Sequence, residues 1–207
     1  HKIEDLMAQN VHEQELKRKS ELKALQSQIN PHFLYNTLDS IIWMAEGKKY
    51  EDVVLMTASL ARLLRQSISN EDETVLIGQE IQYVKSYLTI QKMRYKDKLE
   101  FAINVDPSIN SVHIVKLVLQ PIVENAITHG IEELDADAVI EIKGIEHEKS
   151  FEIEITDSGT GMSEKQLAIL RRKLRMRLNS DTQPKHGIGL RNVQDRIHIQ
   201  FGTEYGL

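Results

Sequence analysis

The 207-residue sequence lacks several features that would restrict its function. It contains no cysteine, which excludes a disulfide framework and a thiolate metal site and is typical of a reducing compartment. No uninterrupted apolar run approaches the ~20 residues of a membrane-spanning helix, and the N-terminus lacks the basic and apolar regions of a signal peptide. We therefore expect the chain itself to be soluble and cytosolic.

The charge distribution excludes nucleic acid as a partner. The net charge is −5, and acidic and basic residues are mixed along the chain, so the basic patch of a nucleic-acid-binding surface is missing. Apolar residues make up 41% and charged residues 28% of the sequence, proportions that are ordinary for a globular protein and argue against disorder. No internal repeat is visible, and the length fits one or two domains.

The phosphate-binding loop of P-loop proteins is also missing. No Gly-x-x-x-x-Gly-Lys-Ser/Thr string occurs in the sequence. A Gly-x-Gly is present at Gly187 and Gly189, but the strand and the acidic residue of a dinucleotide-binding fold do not stand at the required places. A nucleotide site in this chain would therefore belong to another fold.

The first part of the chain is patterned as helices. From Lys2 to about Ala45 glycine is absent, and the only proline is Pro31. Apolar residues recur there at three-and-four spacing, as on one face of a helix. After Pro31 the apolar seam restarts on a new phase, because proline removes a backbone donor and bends the preceding turn. The residues of this seam are Leu34, Leu38, Ile41 and Ala45.

A second amphipathic helix is predicted to follow Gly47 and to run to about Ser69. Two helices joined by a short turn form a hairpin, and a lone hairpin buries too little apolar surface to be stable by itself. We therefore expect residues 1–72 to be a helical domain that pairs with a second copy as a four-helix bundle, which makes the protein a homodimer. The stripe on the second helix consists of Val53, Met56, Leu60, Leu64 and Ser67.

Residues 73–207 are patterned as a mixture of helices and strands. Helices are predicted over 77–93, over 114–128 and from Gly189 onward. Three segments alternate polar and apolar residues as half-buried strands do, at 100–105, 139–142 and 151–155. The predicted fold class is α+β, with the helical hairpin followed by an α/β sandwich of a sheet against helices.

His32 is the candidate for covalent chemistry. An imidazole with an unperturbed pKa of ~6.5 has a neutral, nucleophilic nitrogen at cytosolic pH, and a phosphoryl group on that nitrogen is labile enough to be passed on. His32 is out of step with the apolar seam, so its ring is expected to reach solvent. Asn36 lies one helical turn later and is expected either to bond the ring or orient a water, or to be an ordinary solvated position.

Four strings of the sequence resemble the LytS/YesM-type sensor histidine kinases. They are QINPHFLYN at 28–36, YLTIQKMRY at 87–95, LQPIVENAITHG at 119–130 and GIGLRNV at 187–193. The resemblance extends over about residues 20–202. It implies that residues 73–207 form an ATP-binding domain with the fold shared by histidine kinases, gyrase, a heat-shock chaperone and MutL.

The same resemblance implies an activity and a place in the cell. It implies ATP-dependent autophosphorylation of His32, followed by transfer to an aspartate on a response-regulator receiver domain in a two-component system. The full-length protein is expected to be anchored in the membrane, with this portion in the cytoplasm. The chain begins within a helical pattern and stops soon after Phe201, where the family continues for two more strands, so we expect a piece of a longer protein.

The residues near Asn125 are expected to handle metal and phosphate. Mg²⁺ prefers hard oxygen ligands, so the amide oxygen of Asn125 is the expected metal ligand. Glu124 is expected to polarise the incoming nucleophile, because the residue after His32 is Phe33 and no neighbouring carboxylate is available as a base. His129 lies one turn beyond Asn125 and is a candidate for a phosphate contact. A salt-bridged carboxylate at 124 and a packing role at 129 are the structural alternatives.

Asp157 and the glycines after it are expected to bind adenine. Asp157 ends a predicted strand, where its carboxylate can accept a hydrogen bond from the exocyclic amine of adenine. Gly159 and Gly161 would let the backbone approach the base closely. Between them and Asp157 stands Ser158, where the family usually has Asn.

The remaining phosphate contacts are expected from a second pair of glycines. Gly187, Gly189 and Leu190 open a predicted helix whose amino end can receive phosphate oxygens on backbone amides. The preceding stretch, 163–186, is rich in lysine and arginine and suits a lid over a triphosphate, although a solvated basic face would have the same composition.

Two alternatives to the kinase remain. An ATPase clamp of the gyrase or heat-shock chaperone class would release inorganic phosphate without labelling itself, and it has no use for His32. A non-enzymatic dimeric signalling module with a vestigial ATP site is suggested by Ser158 and by the short C-terminus. Nucleotide affinity distinguishes this second alternative from the kinase.

Overall fold

The chain has an α+β architecture in a computed structural model, which describes residues 31–68, 74–131, 136–175 and 188–207. The chain divides into two compact units, residues 1–70 and 71–207. The first described unit is a helical hairpin, and the second is a mixture of helices and strands. Three predictions reach outside the described residues: the first helix over 2–30, the lid over 176–186, and Gly187.

The predicted hairpin is confirmed. Helix α1 spans Pro31–Glu46 and helix α2 spans Tyr50–Ile68. Proline suits the first turn of a helix, where its missing N–H has no intrahelical partner. The turn between the helices places Lys48, not Gly47, in the left-handed region with φ 57°, and the Lys49 N–H donates to the carbonyl of Met44 at 2.9 Å.

The face of α1 that packs inside the hairpin differs from the predicted seam. Leu38 and Ala45 are exposed, whereas Thr37 and Met44 are buried. Burial of Thr37 is possible because its hydroxyl donates to the carbonyl of Phe33 at 2.7 Å, so the buried hydroxyl has a hydrogen-bond partner. A search for apolar periodicity cannot find such a position. The buried residues of α2 are Met56, Ser59, Leu60 and Leu63.

The second unit opens with a short two-stranded sheet that the sequence pattern did not reveal. Strand β1 spans Thr74–Leu76, helix α3 spans Ile77–Tyr95, and strand β2 spans Leu99–Val105. Strand β3, His113–Val115, pairs antiparallel with β1. The helix predicted over 114–128 is therefore wrong at its start, because Ile114 and Val115 pair with β1 instead of continuing a helix.

A short α-helix and a π-helix occupy the rest of that segment. Helix α4 spans Leu119–Asn125, and a π-helix follows it directly over Ala126–Ile131. The predicted strands are confirmed as longer elements, β4 at Ala138–Glu146 and β5 at Phe151–Asp157. They belong to a three-stranded sheet of order β2-β4-β5, in which β2 and β4 are parallel and β4 and β5 antiparallel.

The helices cover this mixed sheet and meet one another around α4. Alternate residues of β4 are buried, as expected for one covered face. Helix α3 packs against β2 and α4, and the π-helix packs against β5. Two further helices follow, α5 at Glu164–Arg175 and α6 at Ile188–Phe201, and α6 contacts α4. Across the described ranges, no helix combines the length and hydropathy needed to cross a membrane.

Candidate functional site

His32 lies in the first turn of α1 with its ring exposed, as its position beside the apolar seam predicts. The amide nitrogen of Asn36 lies 3.1 Å from Nε2 and 3.3 Å from Nδ1 of the imidazole. Residues four apart on a helix face each other, so this contact follows from the sequence spacing. The amide can orient a ring that remains accessible to a phosphoryl donor.

Glu124 and Asn125 lie at the end of α4, where α-helical geometry changes to π-helical geometry. Single π-helical turns are frequently found at functional sites. Glu124 is half-buried, and the side chain of Gln120 donates a hydrogen bond to its Oε1 at 2.5 Å. Burial raises the pKa of Glu124, and the bond from Gln120 opposes that rise in part. A half-buried carboxylate of raised pKa is suited to accepting a proton.

Helix α3 contributes polar groups beside Glu124 that the sequence analysis did not single out. The hydroxyl of Tyr87 accepts from the side chain of Gln91 at 2.8 Å, and Arg94 donates to the amide oxygen of Gln91 at 2.7 Å. Burial raises the pKa of Tyr87, and the nearby charge of Glu124 raises it further. These residues are spaced four and then three apart, which places them on one helix face. This spacing is the sequence signal from which the group could have been predicted.

The turn after β5 packs closely on the π-helix. Asp157 is exposed, and its Oδ1 accepts from the Gly159 N–H at 2.8 Å. A Cβ atom on Gly159 would lie 2.5 Å from the Cα of Gly130, so no larger residue fits there. The Thr160 N–H donates to the Gly130 carbonyl at 3.2 Å. Gly130 is thus a further candidate site residue, which its place in the string after Asn125 could have suggested.

Gly161 has a different reason for being glycine. Its φ is +67°, and no described atom lies within 4 Å of the position that a Cβ would occupy. The backbone conformation, not crowding, favours glycine there. Among the described residues, the backbone of the turn is therefore uncrowded at Gly161.

Ser158 extends the pairing of β4 with β5 by one residue. Its N–H donates to the carbonyl of Val139 at 3.0 Å, and its hydroxyl oxygen accepts from the Val139 N–H at 2.9 Å. The side chain thereby replaces a strand carbonyl as the acceptor. This bond holds the turn that carries Asp157 and Gly159 against the sheet.

The start of α6 lies next to α4. Gly189 is exposed in the first turn of α6, and among the described atoms an added Cβ would meet only Pro121, at 3.9 Å. Leu190 is half-buried. The structure thus brings α4, the π-helix with exposed His129, the turn after β5 and the start of α6 into one region, as the order of the motifs predicts.

The residues in this region fit a magnesium-bound adenine nucleotide. The exposed carboxylate of Asp157 can accept a hydrogen bond from the adenine amine, and no described atom crowds the backbone of the turn at Gly161. The amide oxygen of half-buried Asn125 is a hard ligand of the kind that Mg²⁺ prefers. Backbone amides at the amino end of α6 are suited to phosphate oxygens.

Two protein-family models match the chain. Residues 20–99 match the model described as "Histidine kinase", and residues 111–206 match the model described as "Histidine kinase-, DNA gyrase B-, and HSP90-like ATPase". The chain belongs to the sensor histidine kinases. The second model covers the region that holds the candidate nucleotide residues, and its description implies that this region binds ATP.

Individual relatives agree with the family models. Over 206 residues the chain is 38% identical to "Sensor histidine kinase YesM" of Bacillus subtilis (strain 168), a match that covers 100% of this chain and 33% of that protein. It is 34% identical to "Sensor histidine kinase YpdA" of Escherichia coli (strain K12), with 91% and 32% covered, and 29% identical to "Sensor protein kinase HptS" of Staphylococcus aureus, with 97% and 37% covered. The chain therefore spans about a third of the length of the curated relatives it matches.

Proposed function

We propose that this chain catalyses ATP-dependent autophosphorylation of His32 and then transfers the phosphoryl group to an aspartate on a response-regulator receiver domain. The observation that supports this reaction most directly is an exposed imidazole, contacted by Asn36, in a chain whose second unit gathers the candidate nucleotide residues. An ATPase alone has no use for such an imidazole. The relatives named sensor histidine kinases support the same reaction.

Incubation with γ-labelled ATP and Mg²⁺ tests this function. The expected result is a protein-bound label that is lost in acid, because the N–P bond of phosphohistidine is acid-labile. Release of inorganic phosphate without labelling would instead favour an ATPase clamp. Failure to bind ATP at all would favour a signalling module with a vestigial site.

In this proposal residues 1–72 hold the phosphoacceptor and residues 73–207 bind ATP. Asp157 accepts from the adenine amine, and the turn with Gly159 and Gly161 lies against the base. Asn125 holds Mg²⁺, which when bound supplies positive charge to the phosphates. The phosphate oxygens are received by Gly189 and Leu190 in the first turn of α6 and by Gly187, which precedes the helix in sequence, with His129 as a further contact.

This division of roles predicts different defects for two substitutions. Asp157→Asn is expected to weaken ATP binding by about 1–3 kcal/mol, because the amide leaves a polar group imperfectly paired against adenine. Asn125→Ala is expected to impair chiefly Mg²⁺-dependent turnover. Calorimetric titration of ADP without metal separates the two, and equal losses of metal-free affinity would contradict the assignment.

We propose that the hairpin forms a homodimer as a four-helix bundle. The packing inside the hairpin leaves much of its apolar surface uncovered, and such surfaces usually belong to an interface. Of the large apolar side chains on this surface, Leu38 belongs to the seam predicted from the sequence. The exposed large apolar side chains of the hairpin are Tyr35, Leu38, Ile42, Trp43, Tyr50, Val54 and Leu55.

The double substitution Leu38→Glu with Ile42→Glu is expected to convert the dimer to monomers, because it places charges in the proposed interface. Light scattering of the full chain measures the mass. Ile199→Glu is the matched control, since Ile199 is 85% exposed in the other unit and should leave the mass unchanged. A fully dimeric double variant would refute the hairpin as the interface.

We also propose that the chain is the cytoplasmic portion of a longer, membrane-anchored sensor. The relatives are about three times as long as the matched region, and their names describe sensors. The stimulus and the anchor would then lie in the part of the protein that this chain does not include.

A further inference from the structure

Glu80 is a buried carboxylate that the proposed reaction does not use. It lies in the first turn of α3 and is 3% exposed. Its Oε1 accepts from the Leu117 N–H at 2.7 Å, and its Oε2 accepts from the N–H groups of Val118 and Leu119 at 3.1 and 3.3 Å. One side chain thus binds three consecutive backbone amides that are 37 to 39 residues away.

These amides belong to the turn that leads into α4. The residue before the helix, Val118, makes no side-chain capping bond, so the first N–H groups of α4 need acceptors from elsewhere. Leu117 has φ +57°, a left-handed conformation that is unfavourable for leucine. The carboxylate of Glu80 satisfies the amides, favourably opposes the positive end of the helix dipole, and holds this turn in its unfavourable conformation.

The same turn is also held from α6. A guanidinium nitrogen of Arg196 donates to the carbonyl of Lys116 at 2.6 Å. Burial raises the pKa of Glu80, while the three amide donors and the positive charge of Arg196 oppose that rise. Helices α3 and α6 therefore hold the turn from two sides, one through its N–H groups and the other through a carbonyl.

Because α4 is short, the residue at which it starts affects the direction of the side chains at its end. The helix has seven residues and ends with Glu124 and Asn125, and each residue turns an α-helix by about 100°. A shift of the start by one residue would point both side chains in another direction. The candidate adenine residues, Asp157 and Gly159, follow β5, where Ser158 bonds their turn to β4, and they meet the continuation of α4 only indirectly, through Gly130 of the π-helix.

We propose that Glu80, together with Arg196, is a positioning residue of the kinase reaction, fixing the start of α4 and thereby the direction of Glu124 and Asn125. This inference rests on the proposed function. It assigns Glu80 a larger effect on the phosphate end of the nucleotide than on the adenine end. A merely structural residue would instead lower both together.

The test compares Glu80→Gln and Arg196→Ala with the parent, all as the full chain. Glutamine keeps the size of the side chain but has one acceptor oxygen in place of two and turns N–H donors toward the amides. Glu100→Gln is the matched control, because Glu100 is exposed and pairs with Lys92 at the surface. The measurements are amide hydrogen exchange at 117–119, ADP affinity without metal, the gain in ATP affinity on adding Mg²⁺, and the labelling rate at saturating ATP.

For Glu80→Gln we expect faster exchange at 117–119, a metal-free ADP affinity within about threefold of the parent, and labelling slower by at least about tenfold, since small misplacements of reacting groups are costly. Labelling at the parent rate would overturn the inference, and so would losses of ADP affinity and labelling in equal proportion. If Glu80→Gln does not fold, the same two criteria apply to Arg196→Ala, whose substituted side chain is exposed.

The inference can be judged even if the proposed function fails. If the parent binds ATP but never labels itself, the autophosphorylation proposal is wrong, and the Mg²⁺-dependent gain in ATP affinity becomes the deciding measurement. Loss of that gain in Glu80→Gln, with metal-free ADP affinity retained, supports the positioning role. Retention of the parent's gain overturns it.

Discussion

His32→Gln is expected to abolish self-labelling and to leave ATP affinity within about a factor of three, which corresponds to ~0.65 kcal/mol. Glutamine has no nucleophilic ring nitrogen to accept a phosphoryl group. The affinity should persist because His32 belongs to the unit 1–70, whereas the candidate nucleotide residues belong to the unit 71–207. Labelling with γ-labelled ATP and calorimetric titration of ATP measure the two effects separately.

His147→Gln is the matched control for this experiment. His147 also carries an exposed imidazole, near the carboxylate of Glu152 at 3.5 Å, so the control removes a solvent-accessible ring of the same kind. It should label at the parent rate. Acid-labile label that persists in His32→Gln would show that another side chain is the acceptor.

The longer elements were predictable because their patterns repeat within the element. Helix α3 was found almost to the residue from its apolar spacing, and β4 and β5 from alternation. Strands β1 and β3 have three residues each and are stabilised by pairing with each other, which no local pattern records. The left-handed Leu117 likewise depends on contacts made from elsewhere in the chain.

The contacts in the candidate site also fall into two groups: local contacts, which the sequence predicts, and contacts between distant residues, which it does not. Asn36 beside His32 and Gly159 beside Asp157 are neighbours in sequence, and spacing alone predicts their contacts. The contact of Glu80 with the start of α4 joins residues 37 to 39 apart. Such a buried acid inside an otherwise ordinary helix carries no local signal, since most glutamates on helices are solvated.

The ionisation of Glu124 is expected to make the stability of the folded state depend on pH. Burial raises its pKa above the ordinary value of 4.5, so the folded state binds the proton more tightly than the unfolded state. The free energy of unfolding then falls as pH rises from 4.5 through the raised pKa, and at neutral pH the ionised carboxylate lowers stability. Glu124→Gln removes that cost, and its amide oxygen can still accept from Gln120.

Glu124→Gln is therefore expected to lower activity and raise stability at the same time. Because Phe33 follows His32, no adjacent carboxylate can act as the base, and removal of a positioned general base typically costs about 10²–10⁴ in rate. We expect self-labelling at saturating ATP to fall at least about tenfold, a smaller minimum than this range because a neutral imidazole retains some reactivity. ATP affinity should stay near that of the parent.

The pH dependence separates a base from a packing residue. The parent's labelling rate should fall on the acid side of the raised pKa of Glu124, and this limb should be missing from the residual rate of Glu124→Gln. Thermal unfolding should show a higher midpoint for the variant at neutral pH and none of that gain below pH 4.5. Glu154→Gln, an exposed carboxylate on β5, should change neither the rate nor the midpoint. Labelling of Glu124→Gln at the parent rate would mean that the neutral imidazole of His32 attacks unaided.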